Sequence, residues 1–265
     1  MSNNNSLNSG EVAERLQQRL ALPRVAWFDA IGSTLDAAHA LAEEGAPAGT
    51  LVLADAQSAG RGRMGRTWRS EPGAGLWLTL IERPADASGI DVLSLRIGLA
   101  LAPALDPFAP SRVMLKWPND LYVNERKLAG ILVEARWRDG APEWLAIGVG
   151  INLRAPESEP RAIALCDGVS RDDVLARVVP AIRAAAAVSG PLLPSERADF
   201  AARDRAAGRA CAMPVRGIVR GIDANGGLVI DVGSADSADS ADSASSANAE
   251  IVVCRAGSLV LQEEL

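Results

Sequence analysis

Gly60-Arg61-Gly62-Arg63-Met64-Gly65-Arg66 stands between an apolar run at 51–54 and the aromatic Trp68, and its reading decides how the rest of the chain is understood. Three arginines are interleaved with three glycines. Glycine tolerates positive φ and lets backbone approach a ligand, so such a loop can turn several N–H groups and guanidinium forks into one concavity. A phosphate or carboxylate fits there. Charge-assisted hydrogen bonds contribute about 1.5–3 kcal/mol each, so two or three of them would order a loop that is loose when empty. The same residues would also suit nonspecific RNA binding or an exposed surface loop. No Walker lysine accompanies them.

The chain has 265 residues, 48% of them hydrophobic, enough for one sizeable domain plus a small one with a real core. Its net charge of −6 means that the molecule as a whole repels polyanions, so its arginines act only where they are concentrated. That weighs against a nucleic-acid-binding protein. Cys166, Cys211 and Cys254 lie far apart without a C-x-x-C pair and read as reduced structural thiols. His39 is the only histidine, so a Ser-His-Asp or Cys-His mechanism would have to run through it. Its surroundings, Ala37-Ala38-His39-Ala40-Leu41, read as a helix interior, and it is given no catalytic role. The first ten residues are polar and lack the basic and apolar regions of a signal peptide, and no apolar run reaches membrane-spanning length. A cytoplasmic location away from membranes is expected.

Apolar spacing predicts a short amphipathic helix over 11–22, a strand over 24–28, and a helix from Ser33 or Thr34 to about 44, closed by Gly45. Residues 50–54 and 75–82 read as strands flanking the Arg-Gly loop, and 91–105 as a core helix. Strands are expected at 112–116 and 121–123 around the turn Trp117-Pro118-Asn119-Asp120. An antiparallel hairpin of 127–138 and 143–150, turned at Asp139-Gly140, comes next, and helices over 172–188 and 194–207 follow. After Gly208, short β-type runs at 213–223, 227–232, 249–255 and 258–262 predict a small β-barrel. The Ser-Ala-Asp repeat at 234–248 has too little apolar bulk to fold by itself and reads as a disordered hairpin tip.

Four further segments share the Gly-punctuated, polar character of the loop: Gly32-Ser33-Thr34, Lys116-Trp117-Pro118-Asn119-Asp120, Lys127-Leu128-Ala129-Gly130-Ile131-Leu132 and Gly148-Val149-Gly150-Ile151-Asn152-Leu153. With Gln57 through Trp68, these strings resemble the biotin protein ligases in order and spacing, strongly over residues 25–153 and more loosely over 215–261. The resemblance implies an α+β fold: a mixed/antiparallel sheet flanked by helices, class II synthetase-like, with a small C-terminal SH3-like β-barrel. The expected units are a polar tail and short helix at 1–22, a biotin/lipoate ligase catalytic domain at 23–210, and the barrel at 211–265 carrying the insert 234–248.

Members of that family join biotin to ATP with Mg²⁺, release pyrophosphate, and pass the biotinyl group from biotinyl-5′-adenylate to a lysine of a biotin carboxyl carrier protein. On this resemblance Arg61 and Arg63, with Gly60 and Gly62, would hold the adenylate phosphate and shield the mixed anhydride from water. Lys127 would neutralise charge that grows as the carboxylate attacks, and Lys127 and Arg63 are the catalytic candidates. Ser33, Thr34 and Gln57 would hydrogen-bond the ureido head of biotin, with Leu35, Trp68 and Gly130 completing the substrate-binding set. Lys116, Asn119, Asp120 and Asn152 are candidates for the ATP phosphates, Mg²⁺ or ribose, and no residue is assigned as a metal ligand. Asp120 is also a candidate to help the carrier lysine lose its proton. Read from the residues alone, Ser33 and Thr34 are helix caps, Lys127 is a solvated strand lysine, and Asn119-Asp120 is a turn.

The chain departs from the family pattern in places. Many members carry a DNA-binding winged helix, whereas here only about two dozen residues precede the strand at Arg24, so a monofunctional ligase without DNA binding is expected and a homodimer is left open. Leu35 stands where asparagine is common, and Met64 where a third basic residue is common. Ala256-Gly257-Ser258-Leu259 resembles the family ending only weakly. The rival readings are a lipoate or octanoate protein ligase, which shares fold and acyl-adenylate chemistry, and a noncatalytic RNA-binding module. Net negative charge and the lack of a stacking aromatic series weigh against the second.

Overall fold

In the computed structural model, which describes residues 9–156, 158–233 and 250–264, the chain begins with helix α1 (Ser9–Leu20), strand β1 (Arg24–Ile31) and helix α2 (Thr34–Glu43). Strands β2 (Thr50–Gln57) and β3 (Gly75–Glu82) flank the Arg-Gly loop, and helix α3 (Leu93–Leu105) follows. Then come β4 (Met114–Lys116), β5 (Asp120–Val123), β6 (Arg126–Arg138) and β7 (Ala141–Asn152), and helices α4 (Arg171–Ala186) and α5 (Pro194–Ala201). The Ser-Ala-Asp repeat at 234–248 lies outside the described residues.

These strands form a seven-stranded sheet of order β1-β2-β3-β7-β6-β5-β4. Only β1 and β2 run parallel, and each remaining neighbour is antiparallel, giving the mixed sheet expected. The period-two alternation of a strand assigns its two faces. Leu51 and Leu53 of β2, with Leu145, Ile147, Val149 and Ile151 of β7, join the cluster that contains Ile97 and Leu101 of α3 and Val178 and Ile182 of α4. Val52, Ile81, Trp144 and Ala146 point the other way and pack on Leu35, Ala38 and Ala42 of α2. Helix α1 closes one edge of the larger core through Leu16, which is 1% exposed.

Beyond α5 a second sheet is built from β8 (Ala210–Met213), β9 (Gly217–Ile222), β10 (Leu228–Asp231), β11 (Ile251–Cys254) and β12 (Val260–Leu261). Its order is β11-β10-β9-β8-β12, antiparallel throughout, consistent with an SH3-like unit. Cys211, Val219, Leu228, Ile230 and Leu261 bury into the same core as the main sheet.

The structure corrects three element readings. The helix expected over 194–207 ends at Ala201, because the following residues are claimed by the edge of β4. Leu115 N donates to Arg203 O at 2.7 Å and Arg205 N to Leu115 O at 3.0 Å, a bridge that overrides helix propensity. The run expected at 213–223 is strand only over Gly217–Ile222, and Met213 instead ends β8, which begins at Ala210 and stops at Pro214, a residue with no N–H to give a ladder. The helix expected from 91 opens with a 3₁₀ turn, Ile90–Val92, before α3. Among the described residues no helix is long and apolar enough to cross a membrane.

The bridge at β4 buries Asp204, whose Oδ1 accepts from Ala206 N at 2.8 Å while Oδ2 has no partner. Burial pushes this carboxyl up to about 6 against the pull of the Ala206 and Ala207 amides and Arg205. Protonation is therefore easier in the folded than in the unfolded chain. The group favours folding most below the usual carboxylate range, and that contribution is lost as pH rises through about 6. Asp204→Asn keeps the amide acceptor without the charge. It is expected to raise unfolding free energy by up to about 2–3 kcal/mol at pH 8 and to change it little at pH 4, read from denaturant midpoints at the two pH values.

Candidate functional site

On the α2 face of β7 the side chains shrink along the strand, from Trp144 and Ala146 to Gly148 and Gly150. Gly150 pairs with Gly130 of β6 on one side and Trp77 of β3 on the other. The result is a floor of bare backbone. A Cβ on Gly150 would lie 2.6 Å from the Trp68 indole, and one on Gly130 would lie 2.9 Å from it, so the ring rests where side chains are missing. Around this floor opens a cavity of about 590 Å³, walled by the start of α2, the Arg-Gly loop, the β4–β5 turn, Lys127 and residues 258–264. That size suits a small organic ligand.

The α2 wall is ordered by its own polar groups. Ser33 caps the helix, its Oγ accepting from Leu35 N at 3.3 Å. Gln57 Oε1 accepts from Thr34 N at 2.8 Å and from Thr34 Oγ1 at 3.1 Å, while Gln57 Nε2 donates to Ser70 Oγ at 2.8 Å. Capping and lining therefore coincide at Ser33, while Thr34, the first residue of the helix, lines the cavity and bonds Gln57 instead of capping. Leu35 lines the cavity and meets Gly148, where a Cβ would lie 3.2 Å from its Cδ2.

The Arg-Gly loop is closed by backbone: Trp68 N donates to Gly60 O at 2.8 Å and Gly62 N to Arg66 O at 2.7 Å. Gly60 lies behind the cavity wall, and its role is close approach, since a Cβ there would sit 2.4 Å from Trp68 O. Arg61 and Arg63 both line the cavity, yet they differ in kind. Arg61 is held by the carboxylates of Asp36 and Glu134; burial works against its charge and these two partners more than offset that. The Arg63 guanidinium has no hydrogen bond or ion pair among the described residues, and burial lowers its pKa despite the attraction of Asp120. Arg66 reaches Ser258, and Met64 is 73% exposed.

Lys127 Nζ sits 2.7 Å from Asp120 Oδ1 and 5.0 Å over the Trp68 ring. Lys116 Nζ lies 2.6 Å from Glu264, which also binds Arg205 at 2.8 Å. Burial raises the Glu264 carboxyl, but Arg205, Lys116 and the Leu261 amide outweigh it and hold it at about 2. Burial in turn lowers Lys116. Asn119 lines the cavity with its Nδ2 given to Ile131 O at 2.6 Å. Asn152 does not reach the cavity: its amide is spent on Ile163 O at 3.0 Å and Lys127 O at 3.4 Å, so it braces β6 against the chain beyond β7.

Sequence reasoning missed Tyr122, Arg161 and Arg205, which also line the cavity. Arg205 packs 4.3 Å from the Tyr122 ring centre, a contact that needs the tertiary fold and leaves no local motif. The carboxylates on the wall are already engaged: Asp120 by Lys127, Glu125 by Arg205 and Arg209, Glu263 by Arg209, and Glu264 by Lys116 and Arg205. Among the described residues no group of three metal-ligating side chains occurs.

A family model described as the Biotin/lipoate A/B protein ligase family matches residues 27–152. A Biotin--[acetyl-CoA-carboxylase] ligase of Mycobacterium tuberculosis is 35% identical over 204 residues, covering 70% of this chain and 74% of that protein. The Bifunctional ligase/repressor BirA of Bacillus spizizenii is 38% identical over 148 residues, 56% of this chain and 46% of that protein. The chain thus spans less than half the length of this bifunctional relative. Among solved structures, a biotin protein ligase from Aquifex aeolicus in complex with biotin and ATP superposes with a TM-score of 0.71 at 25% identity, covering 91% of this chain and 99% of that one.

Proposed function

The chain belongs to the biotin/lipoate A/B protein ligase family, and from that membership we propose that it is an ATP-dependent ligase acting on biotin. It activates biotin as biotinyl-5′-adenylate and transfers the biotinyl group to a lysine of a biotin carboxyl carrier domain. The observation that carries the reading is Arg63, a partly buried guanidinium without a partner among the described residues, which lines a glycine-floored cavity together with Lys127. An uncompensated cation in a desolvated cleft is a receptor for an anion.

In the first step a carboxylate oxygen of biotin bonds to the α-phosphorus of ATP, and the bond to pyrophosphate breaks. Lys127, turning from Asp120, neutralises the negative charge that gathers on the α-phosphate. Arg161 also lines the cavity and offers a departing pyrophosphate a cation, whereas Lys116 and Arg205 are held by Glu264. Ser33, Thr34 and Gln57 offer the polar wall for the uncharged ureido head, and Leu35 and Trp68 the apolar one. Mg²⁺ would enter with the triphosphate and screen its charge, and no residue is assigned to hold it.

In the second step the carrier amine attacks the activated carbonyl, the bond to AMP breaks, and the nitrogen loses its proton. That amine has a reference pKa of about 10.4, so it must lose a proton before it attacks, and its placement beside the carbonyl supplies much of the rate. Arg63 and the loop retain the adenylate and exclude water until the amine arrives. The test incubates the protein with ATP, Mg²⁺, a biotin carboxyl carrier domain and either biotin or lipoate, then weighs the carrier. One biotinyl increment is expected; gain with lipoate alone, or no gain with either acid, would overturn the reading.

A further inference from the structure

The one histidine of the chain sits at the end of a hydrogen-bonded relay that reaches the Arg-Gly loop. Trp144 Nε1, an obligate donor on a 1% exposed residue, gives its hydrogen to His39 Nδ1 at 2.9 Å. Nδ1 is therefore the acceptor, so the ring hydrogen is on Nε2 and points at Glu134 Oε2, 2.9 Å away. Glu134 accepts from Arg61 Nη2 through both oxygens, at 3.0 and 3.2 Å. The other terminal nitrogen of Arg61 goes to Asp36, one helical turn before His39 on α2. Loop, helix α2 and strand β6 are thereby tied together through a single guanidinium.

Two carboxylates face that one cation, so an anion entering the cavity meets no net positive charge at Arg61. We infer that Arg61 serves as a tether rather than as an anion ligand, and that Glu134 and His39 are positioning residues that root the loop so that Arg63 stands over the cavity. The tether spans the loop's first arginine, and Arg63 is only two residues further along. His39 fixes which way the Glu134 carboxylate faces, and Glu134 fixes Arg61. The retention arm of this inference rests on the proposed ligase activity; the tether itself does not.

The experiment has two readouts. Trypsin cuts after arginine, so cleavage within 61–66 of the unliganded protein reports how firmly the loop is rooted. Glu134→Gln is expected to raise that cleavage rate about tenfold, as the loss of about one charge-assisted hydrogen bond implies, with the thermal midpoint little changed. His39→Leu is expected to do the same. His39→Gln, which keeps a donor toward Glu134, is expected to recover most of the protection. In turnover, Glu134→Gln should keep kcat for biotin activation within about threefold while biotinyl-adenylate escapes faster, again by about tenfold. Unchanged cleavage in both Glu134→Gln and His39→Leu would overturn the tether, as would equal cleavage in His39→Gln and His39→Leu. If wild type forms no adenylate, the ligase reading fails while the proteolysis arm still decides the tether.

Discussion

Lys127→Ala is expected to slow formation of biotinyl-adenylate by about 10²–10³-fold, the usual loss when one preorganised charge is withdrawn from a developing anion. Its ammonium is held at the cavity by Asp120 and by the Trp68 face, so it stands ready without folding around a ligand. Removing it also leaves Asp120 without its partner. The double variant Lys127→Ala with Asp120→Asn separates the two effects: if the missing cation is the cause, the double variant stays as slow as the single one. Pyrophosphate release in single-turnover mixing measures the step directly. A loss confined to KM for biotin, with kcat intact, would assign Lys127 to ground-state binding instead.

The second large effect is expected on retention rather than on rate. Arg63→Gly withdraws the one cation of the loop whose side chain has no partner among the described residues, and with it charge-assisted contacts of about 1.5–3 kcal/mol, equivalent to about a 10–100-fold faster escape of the adenylate. The escaped mixed anhydride would acylate any lysine it meets. An unrelated bystander protein included in the reaction should therefore gain biotin, seen by mass. Because the Arg63 guanidinium is partly buried and has no partner among the described residues, its removal should leave the thermal midpoint unchanged or raise it. Bystander labelling no higher than with wild type would refute the role.

The parts of the fold that were legible from sequence are those that local pattern controls. The strand at 75–82 has the bounds its alternation predicts, and the hairpin of β6 and β7 turns where Asp139-Gly140 supplies positive φ at both residues. The helix read as far as 207 fails for a reason no local window contains, namely that β4, some 90 residues earlier, takes 203–205 for itself. The site divides in the same way. Contiguous motifs named most residues of the cavity wall. What they could not give was the difference between Arg61 and Arg63, two residues apart in a repeating pattern. Arg61's partners lie 25 and 73 residues away, so only the assembled sheet and helix distinguish a spent cation from a free one. Asn152 shows the converse: its place in a motif string says nothing of which way its amide is turned.

The floor of Gly130 and Gly150 has a consequence for how this sequence can drift. The cavity is empty space encoded by parity: Val149 and Ile151, the immediate neighbours of Gly150, belong to the opposite face and fill the core. Slipping β7 by one residue would exchange the faces, sending bulky aliphatics into the cavity and glycines into the core. Substitutions on either face are graded in their damage, but an insertion or deletion between Trp144 and Asn152 forfeits packing and ligand room together. Lineages carrying this fold should therefore absorb length changes at the Asp139-Gly140 tip while keeping the count of residues within β7 fixed.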